Sequence, residues 1–344
     1  MHARWVPRVF GTDLAIDLGT ANTLFFVPGR GIVLDEPSVV ALKQSPHGAR
    51  EAVAVGRSAR VLAGRTGENL EVVHPLRNGV VIDLDATEIM LRTFLRTALG
   101  RHSHFRRVLI SVPHEVTAVE RRAFQEVARR TGASEVFLID EPLAAAVGSG
   151  LPVGEPRGSM LVDVGSGITE AAVISLGEIV QCHSIRLGGQ SMDEAIAAYT
   201  KERYGLLIGE RSAEEAKIRL AGNSDHEPAP EALVKGRWLQ SGLPGTARLR
   251  AREVLDALSV QIEAIAENVV EALDQTPPEL VADICSPGIS LTGGGALLGT
   301  LAESVRRRTG VPVQLVPDPL GAVALGNGRV LSQLQNLKGV RPGL

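Results

Sequence analysis

At 344 residues the chain is long enough for two domains, each with its own core. Hydrophobic residues make up 44% and charged residues 22%, which excludes a disordered chain, and a net charge of −3 gives no global pull toward nucleic acid. Two cysteines, Cys182 and Cys285, make no secreted disulfide framework, and no apolar run reaches the roughly 20 residues that span a bilayer, so the expectation is a cytoplasmic protein.

In chain order, the opening "MHARWVPRVF" puts Trp5, Val6, Val9 and Phe10 on one helical face with Arg4 and Arg8 opposite. That is the arrangement of an interfacial membrane anchor, and its bland alternative is a frayed terminus. "DLAID" (Asp13 to Asp17) reads as a strand, "LGTAN" turns it, and "TLFFV" (Thr23 to Val27) is its hairpin partner. "GRHSHFRRV" (Gly100 to Val108) reads as a loop mixing Phe105 with Arg101, Arg106 and Arg107, a second candidate for contact with anionic lipid. A strand follows at Arg107 to Val112, then a helix from about Glu115 to Thr131, then a strand at Glu135 to Ile139 feeding "DEP" and the helical "LAAAV". "MLVDV" (Met160 to Val164) turns through "GSG" into "TEAAVISL" (Thr169 to Leu176). Residues 223–230 read as an exposed loop, and "ISL" (Ile289 to Leu291) runs into a glycine cluster and a helix ending near Arg308. The alternation of strands and helices predicts an α/β fold.

The strand–Asp–x–Gly–turn–strand device occurs twice, with Asp17 and Asp163 146 residues apart, which suggests two related halves facing one another. A polyphosphate needs backbone N–H groups brought close, and glycine removes the Cβ that obstructs the approach. "DLGTANT" and "DVGSGIT" therefore read as paired phosphate turns, with Gly19, Thr20, Ala21, Asn22 and Thr23 in the first and Gly165, Ser166 and Gly167 in the second. Asp17 and Asp163 are the expected Mg²⁺ carboxylates, directly or through its waters. Taken singly, each turn is an ordinary hairpin. The pair favours the phosphate reading. Gly293, Gly294, Gly295 and Ala296, between a strand and a helix, form a candidate wall for adenosine, with the helix N-terminus adding partial positive charge. Neither a P-loop nor a strand-associated G-x-G-x-x-G is present, and His102 and His104 read as solvated loop residues rather than metal ligands.

Five ordered segments, "DLAIDLGTANTLFFVPGRGIVLDEPSVVAL", "VFLIDEPLAAAVGSGLP", "LVDVGSGITEAAVISLG", "RLGGQSMDEAI" and "LTGGGALL", resemble the MreB family of bacterial actin homologues from about Thr12 to about Val330. The resemblance implies the actin-like ATPase fold, two α/β lobes around a nucleotide cleft. Lobe I would take residues 12–150 and 318–336 with a smaller subdomain at about 34–75, and lobe II residues 151–317 with one at about 188–250, leaving 1–11 as a tail. It implies ATP or ADP with Mg²⁺, self-assembly into filaments on the inner face of the membrane, and work with wall-elongation proteins such as MreC and RodZ. Glu141 sits where a strand ends and a helix begins, and the matching family glutamate polarises the attacking water. Asp140, pointing to the other side, is the less favoured carboxylate. Glu214 and Lys217 match residues that contact the nucleoside, although their spacing of three also suits an ordinary surface ion pair.

Two positions depart from the family's Asp-x-Gly-Gly-Gly-Thr-Thr. Ser166 replaces a glycine and Ile168 a threonine whose hydroxyl helps orient the water. Loss of one such polar group costs roughly 10² to 10³ in rate, so the expectation is nucleotide binding with slow hydrolysis. The alternative is a nucleotide-dependent scaffold with little or no hydrolysis. A DnaK-type chaperone is disfavoured because the chain ends at Leu344, shortly after the last cleft motif, and a sugar kinase because no substrate base or sugar pocket is identifiable.

Overall fold

The computed structural model describes residues 12–44, 50–67, 69–100, 105–221, 231–333 and 341–342. The candidate membrane tail (Trp5, Phe10), His102, His104 and the loop at 223–230 lie outside them. Among the described residues the chain builds two large mixed sheets, each carrying a small sheet of its own, joined by two helices.

The first half opens with the meander β1 (Thr12–Leu18), β2 (Asn22–Val27) and β3 (Gly31–Pro37). A small three-stranded sheet follows, formed by β4 (Val40–Gln44), β5 (Arg50–Val55) and β6 (Leu70–Val73), with the short helix α1 (Arg57–Leu62) packed on it. β7 (Leu76–Arg77) and β8 (Val80–Val81) form a hairpin closed by Asn78 and Gly79, both at positive φ. Asn-Gly is the pair that such a two-residue turn favours. Helix α2 (Leu84–Leu99) starts at Asp83, whose side chain accepts from the Ala86 N–H.

β9 (Phe105–Val112) then runs parallel to β1, and α3 (Ala118–Arg130) leads to β10 (Glu135–Asp140), parallel to β9. α3 starts three residues later than the sequence suggests. Thr117 and Glu120 form a reciprocal capping box that fixes its first turn. Phe105 to Arg107 are strand rather than loop. The Phe105 ring packs on the core, Arg106 pairs with Glu135 and Arg107 with Asp13, which corrects the reading of Phe105 and Arg106 as loop; Arg101 lies outside the described residues.

After α4 (Glu141–Ser149) the plan repeats with β11 (Ser159–Val164), β12 (Thr169–Ser175) and β13 (Glu178–Ile185) as a second meander. Helices α5 (Gly189–Tyr204) and α6 (Glu210–Ala221) flank a second small sheet of β14 (Leu206–Leu207), β15 (Glu231–Trp238) and β16 (Pro244–Arg250). The long α7 (Ala251–Asp274), α8 (Pro278–Ile284), β17 (Ile289–Thr292), α9 (Gly299–Thr309) and β18 (Val313–Leu315) complete the second half. The chain then crosses back through α10 (Ala322–Ser332) to β19 (Arg341–Pro342), which pairs antiparallel with β10. β17 lies parallel to β11, as β9 does to β1.

The two halves meet through α4 and α10. A Cβ built on Gly148 would lie 1.8 Å from the Ala322 carbonyl oxygen, and one on Gly326 only 1.7 Å from that of Ala144. Backbone therefore packs on backbone, and no larger residue fits the crossing. One apolar cluster threads Ala15, Leu109 and Ile139 of the first sheet, Leu161 and Ile174 of the second, and the buried faces of both helices. Gly148→Ala is expected to lower stability by about 3 kcal/mol, whereas Gly154→Ala, where nothing crowds the new methyl, stays within about 0.5 kcal/mol. Chemical denaturation of both variants checks this.

Candidate functional site

The two glycine turns close with the same bond. Gly19 N–H donates to the Asn22 carbonyl at 3.1 Å, and Gly165 N–H to the Ile168 carbonyl at 3.0 Å. Neither Gly19, Gly165 nor Gly167 has positive φ, so these glycines are required by space rather than by backbone torsion. A Cβ on Gly19 would sit 2.8 Å from the Asn22 carbonyl, and one on Gly167 2.8 Å from Asn78 Cα and 3.0 Å from Thr20 Oγ1. The two turns thus touch tip to tip, and the Asn78–Gly79 hairpin presses on both. Gly79 N–H donates to Thr20 Oγ1 at 2.9 Å, which leaves the Thr20 proton free to donate. Ser166 avoids positive φ and is accommodated without strain.

Two expected donors face elsewhere. Thr23 is fully buried, 2.9 Å from Ser38 Oγ, which in turn donates to the Gly19 carbonyl at 2.7 Å; it braces the turn from behind. Asn22 donates to Asp35 Oδ1 on β3, at 2.8 Å. Ala21 is exposed at the tip. The second turn is anchored on α5, where Gly189 and Gln190 N–H groups donate to the Gly165 and Ser166 carbonyls at 3.0 and 2.8 Å.

Carboxylates gather beneath the turns. Burial raises Asp17 to about 7, with the charges of Asp163 and Asp35 adding, and burial raises Asp163 to about 6. Glu141, first residue of α4, is held well above the ordinary range by burial and then by the charges of Glu170, Asp17, Asp163 and Asp140. Glu170 was not legible as a site residue. It lies opposite Asp163 in the β11–β12 register, is raised to about 8 mainly by burial, and accepts from His114 N–H at 2.8 Å and from Ser184 at 3.1 Å, while its Oε2 is buried without a partner. Asp140 behaves oppositely. Burial pushes it up, but His114, with Nδ1 3.4 Å away, and Arg121 at 3.1 Å outweigh that and hold it below its usual value. It is a paired carboxylate beside the site.

The third glycine cluster differs from expectation. Gly294–Leu297 is a 3₁₀ turn and α9 begins only at Gly299, so no α-helix N-terminus opens on the glycines. Gly293, at φ 82°, passes so close to β11 that a Cβ would lie 2.4 Å from Asp163 Oδ1. Gly294 is exposed, whereas Gly295 is buried against Val164 and the Ala296 methyl sits in the core, so only backbone of these two could meet a ligand. Glu214 and Lys217 do not pair with each other. Lys217 Nζ lies 2.8 Å from both Asp193 Oδ1 and the Gly189 carbonyl, and Glu214 reaches across to Arg60 on α1.

Ile168 turns toward the first half of the chain, its Cγ2 3.4 Å from where a Gly79 Cβ would be. The adjacent Thr169 cannot replace the missing hydroxyl, since it is fully buried and donates to the Leu187 carbonyl at 2.7 Å. Among the described residues no cluster of three or more metal-ligating side chains occurs. Two carboxylates both driven toward their neutral forms, under turns a Cβ would fill, suit a cation held largely by water and phosphate.

A family model described as MreB/Mbl protein matches residues 11–339. The chain is 47% identical over 330 residues to the cell shape-determining protein MreB of Escherichia coli (strain K12), covering 95% of each chain. It is 41% identical over 330 residues to the cell shape-determining protein Mbl of Bacillus subtilis (strain 168), covering 96% of this chain and 98% of that one. Its structure resembles crystal structures of MreB 5 of Spiroplasma citri bound to AMPPNP (TM-score 0.89, 31% identity, 96% and 98% coverage) and bound to ADP (TM-score 0.87, 32% identity, 96% and 100%).

An acid whose pKa is raised by folding keeps its proton where the unfolded chain has lost it. Stability is then full below about pH 4 and falls as pH rises toward 7. Asp17→Asn, without ligand, is therefore expected to raise the thermal midpoint over wild type more at pH 8 than at pH 5. Equal shifts at both pH values would contradict it.

Proposed function

The chain belongs to the MreB/Mbl family of bacterial actin homologues and has the actin-like fold, and from that premise we propose that it binds ATP and ADP with Mg²⁺ between its lobes and assembles into membrane-associated filaments that organise cell-wall synthesis and cell shape. The observation that carries the reading is the matched pair of glycine turns meeting tip to tip over carboxylates contributed by both halves. The lobes are assigned to residues 12–150 with 318–336, and to 151–317, each with the smaller subdomain expected from the sequence.

In this reading the N–H groups of the two turns and the Thr20 hydroxyl hold the phosphates, and Asp17 and Asp163 hold Mg²⁺ through its waters. The ion, when bound, neutralises charge on the phosphoryl oxygens. Glu141 accepts a hydrogen bond from the attacking water, and burial among other carboxylates makes it a stronger proton acceptor than an exposed glutamate. Glu214 takes the nucleoside hydroxyls. Lys217 keeps α6 on α5 through Asp193, so its part is to orient Glu214.

Ile168 supplies no polar atom to the water, and the neighbouring hydroxyl is committed elsewhere, which supports slow hydrolysis. Phosphate release from Mg-ATP, followed over protein concentration, tests this. Ile168→Thr is expected to raise the rate at least about tenfold, and Glu141→Gln to remove it. Wild type turning over faster than Ile168→Thr would overturn the assignment.

With Phe105 committed to a strand, the membrane contact is assigned to the tail around Trp5 and Phe10. No described helix is long and apolar enough to cross a bilayer. Flotation with anionic vesicles is expected to be lost on removal of residues 1–10, and flotation unchanged by that removal would return the contact to the folded body.

A further inference from the structure

Glu214 lies on α6 in the small subdomain of the second half, and the structure pairs it with Arg60, which belongs to α1 in the small subdomain of the first. The partners are 154 residues apart in sequence. Their side chains are 41% exposed for Arg60 and 29% for Glu214, so the bond spans the mouth of the cleft rather than its floor. Arg60 is not a neighbour that sequence spacing could have supplied.

Beneath this bridge a connected set of contacts descends into the cleft. One helical turn on from Glu214, Lys217 binds Asp193 and the Gly189 carbonyl. The Gly189 N–H in turn donates to the Gly165 carbonyl of the second glycine turn. Glu214 is therefore the outermost member of a series that begins at the phosphate turn. Arg60 ties that outermost member to the opposite lobe.

We propose that Arg60 is a positioning residue for nucleotide retention: by bonding Glu214 across the cleft mouth it holds the nucleoside-facing carboxylate in place and keeps the lobes closed over bound nucleotide. The proposal rests on the nucleotide reading of the cleft given above. A carboxylate has room for several donors, so Arg60 on Oε2 and a nucleoside hydroxyl on the other oxygen can be held together. Nucleotide leaving the cleft must part the lobes, and parting them breaks the bridge. The effect should therefore fall on release more than on the chemical step.

The test is the release rate of a fluorescent ADP analogue, chased with excess unlabelled ATP in Mg²⁺ buffer, from full-length wild type and from Arg60→Ala, Arg60→Glu and Arg60→Lys. For a half-exposed ion pair, Arg60→Ala is expected to speed release about threefold, Arg60→Glu about tenfold because it adds repulsion, and Arg60→Lys to stay within about twofold of wild type. Added salt should speed wild-type release and leave Arg60→Ala unmoved, a response that loss of packing alone would not produce. Thermal midpoints show whether each variant is folded. Wild-type rates in folded Arg60→Ala and Arg60→Glu overturn the retention role and leave the nucleotide reading standing. Failure of wild type to retain the analogue overturns both.

Discussion

The crossing of α4 and α10 is the constraint on which the cleft depends. At Gly148 and Gly326 the two helices touch through their backbones, and any side chain there would force them apart. α4 carries Glu141 at its first position, directly off the end of β10. α10 carries Asn327, fully buried, which donates to the Ile16 carbonyl at 3.3 Å and to Ser111 Oγ at 2.9 Å. Ile16 immediately precedes Asp17. The crossing therefore sets the distance between the carboxylate that would face the water and the one that would face the metal, and the shared apolar cluster extends that control to the second sheet.

The cost of the arrangement is electrostatic. Asp163 and Glu170 are buried, Asp17 and Glu141 partly so, and each of the four is driven toward its neutral form. Burying like charges destabilises a fold unless something relieves them. Asp140 shows what relief looks like: with Arg121 and His114 beside it, it stays ionised next to the same cluster. For Glu170 the His114 charge and hydrogen bonds offset burial only in part, and no cation lowers Asp17, Glu141 or Asp163 among the described residues, so these four are held in tension, as sites poised for a charged ligand commonly are.

Much of this was legible in the sequence because its period is local. A strand of alternating apolar residues, an Asp at its end and a glycine turn identify both hairpins, and their recurrence identifies the duplication. Glu141 was singled out through the family resemblance, since its place between strand and helix alone reads as an ordinary helix start. Contacts made across the fold were not. Nothing near Thr23 announces that Ser38 would take its hydroxyl, or that Arg60 would take Glu214 in place of Lys217 three residues away. Glu170 read as one more strand residue because its role comes from the His114 N–H and from Asp163 on the adjoining strand. The Asn78–Gly79 turn carried a local signal, the Asn-Gly pair, yet its meaning depends on the two hairpins it meets in space. The glycines of the two phosphate-like turns were legible as positions of close approach, and what they approach is protein: Asn22 and Ile168 carbonyls and the Asn78 backbone.

The duplication sharpens the meaning of Ile168. Asn22 and Ile168 occupy the same place in their respective turns, each supplying the carbonyl that accepts from the first glycine. Their side chains then do different work. Asn22 reaches outward to Asp35 within its own half, a polar bond that steadies the meander. Ile168 reaches toward Gly79 in the opposite half, its Cγ2 3.4 Å from where a Cβ on that glycine would lie. A threonine there would keep the Cγ2 methyl and put a hydroxyl in place of the ethyl branch. The second turn thus carries an apolar side chain where the equivalent position of the first carries an amide.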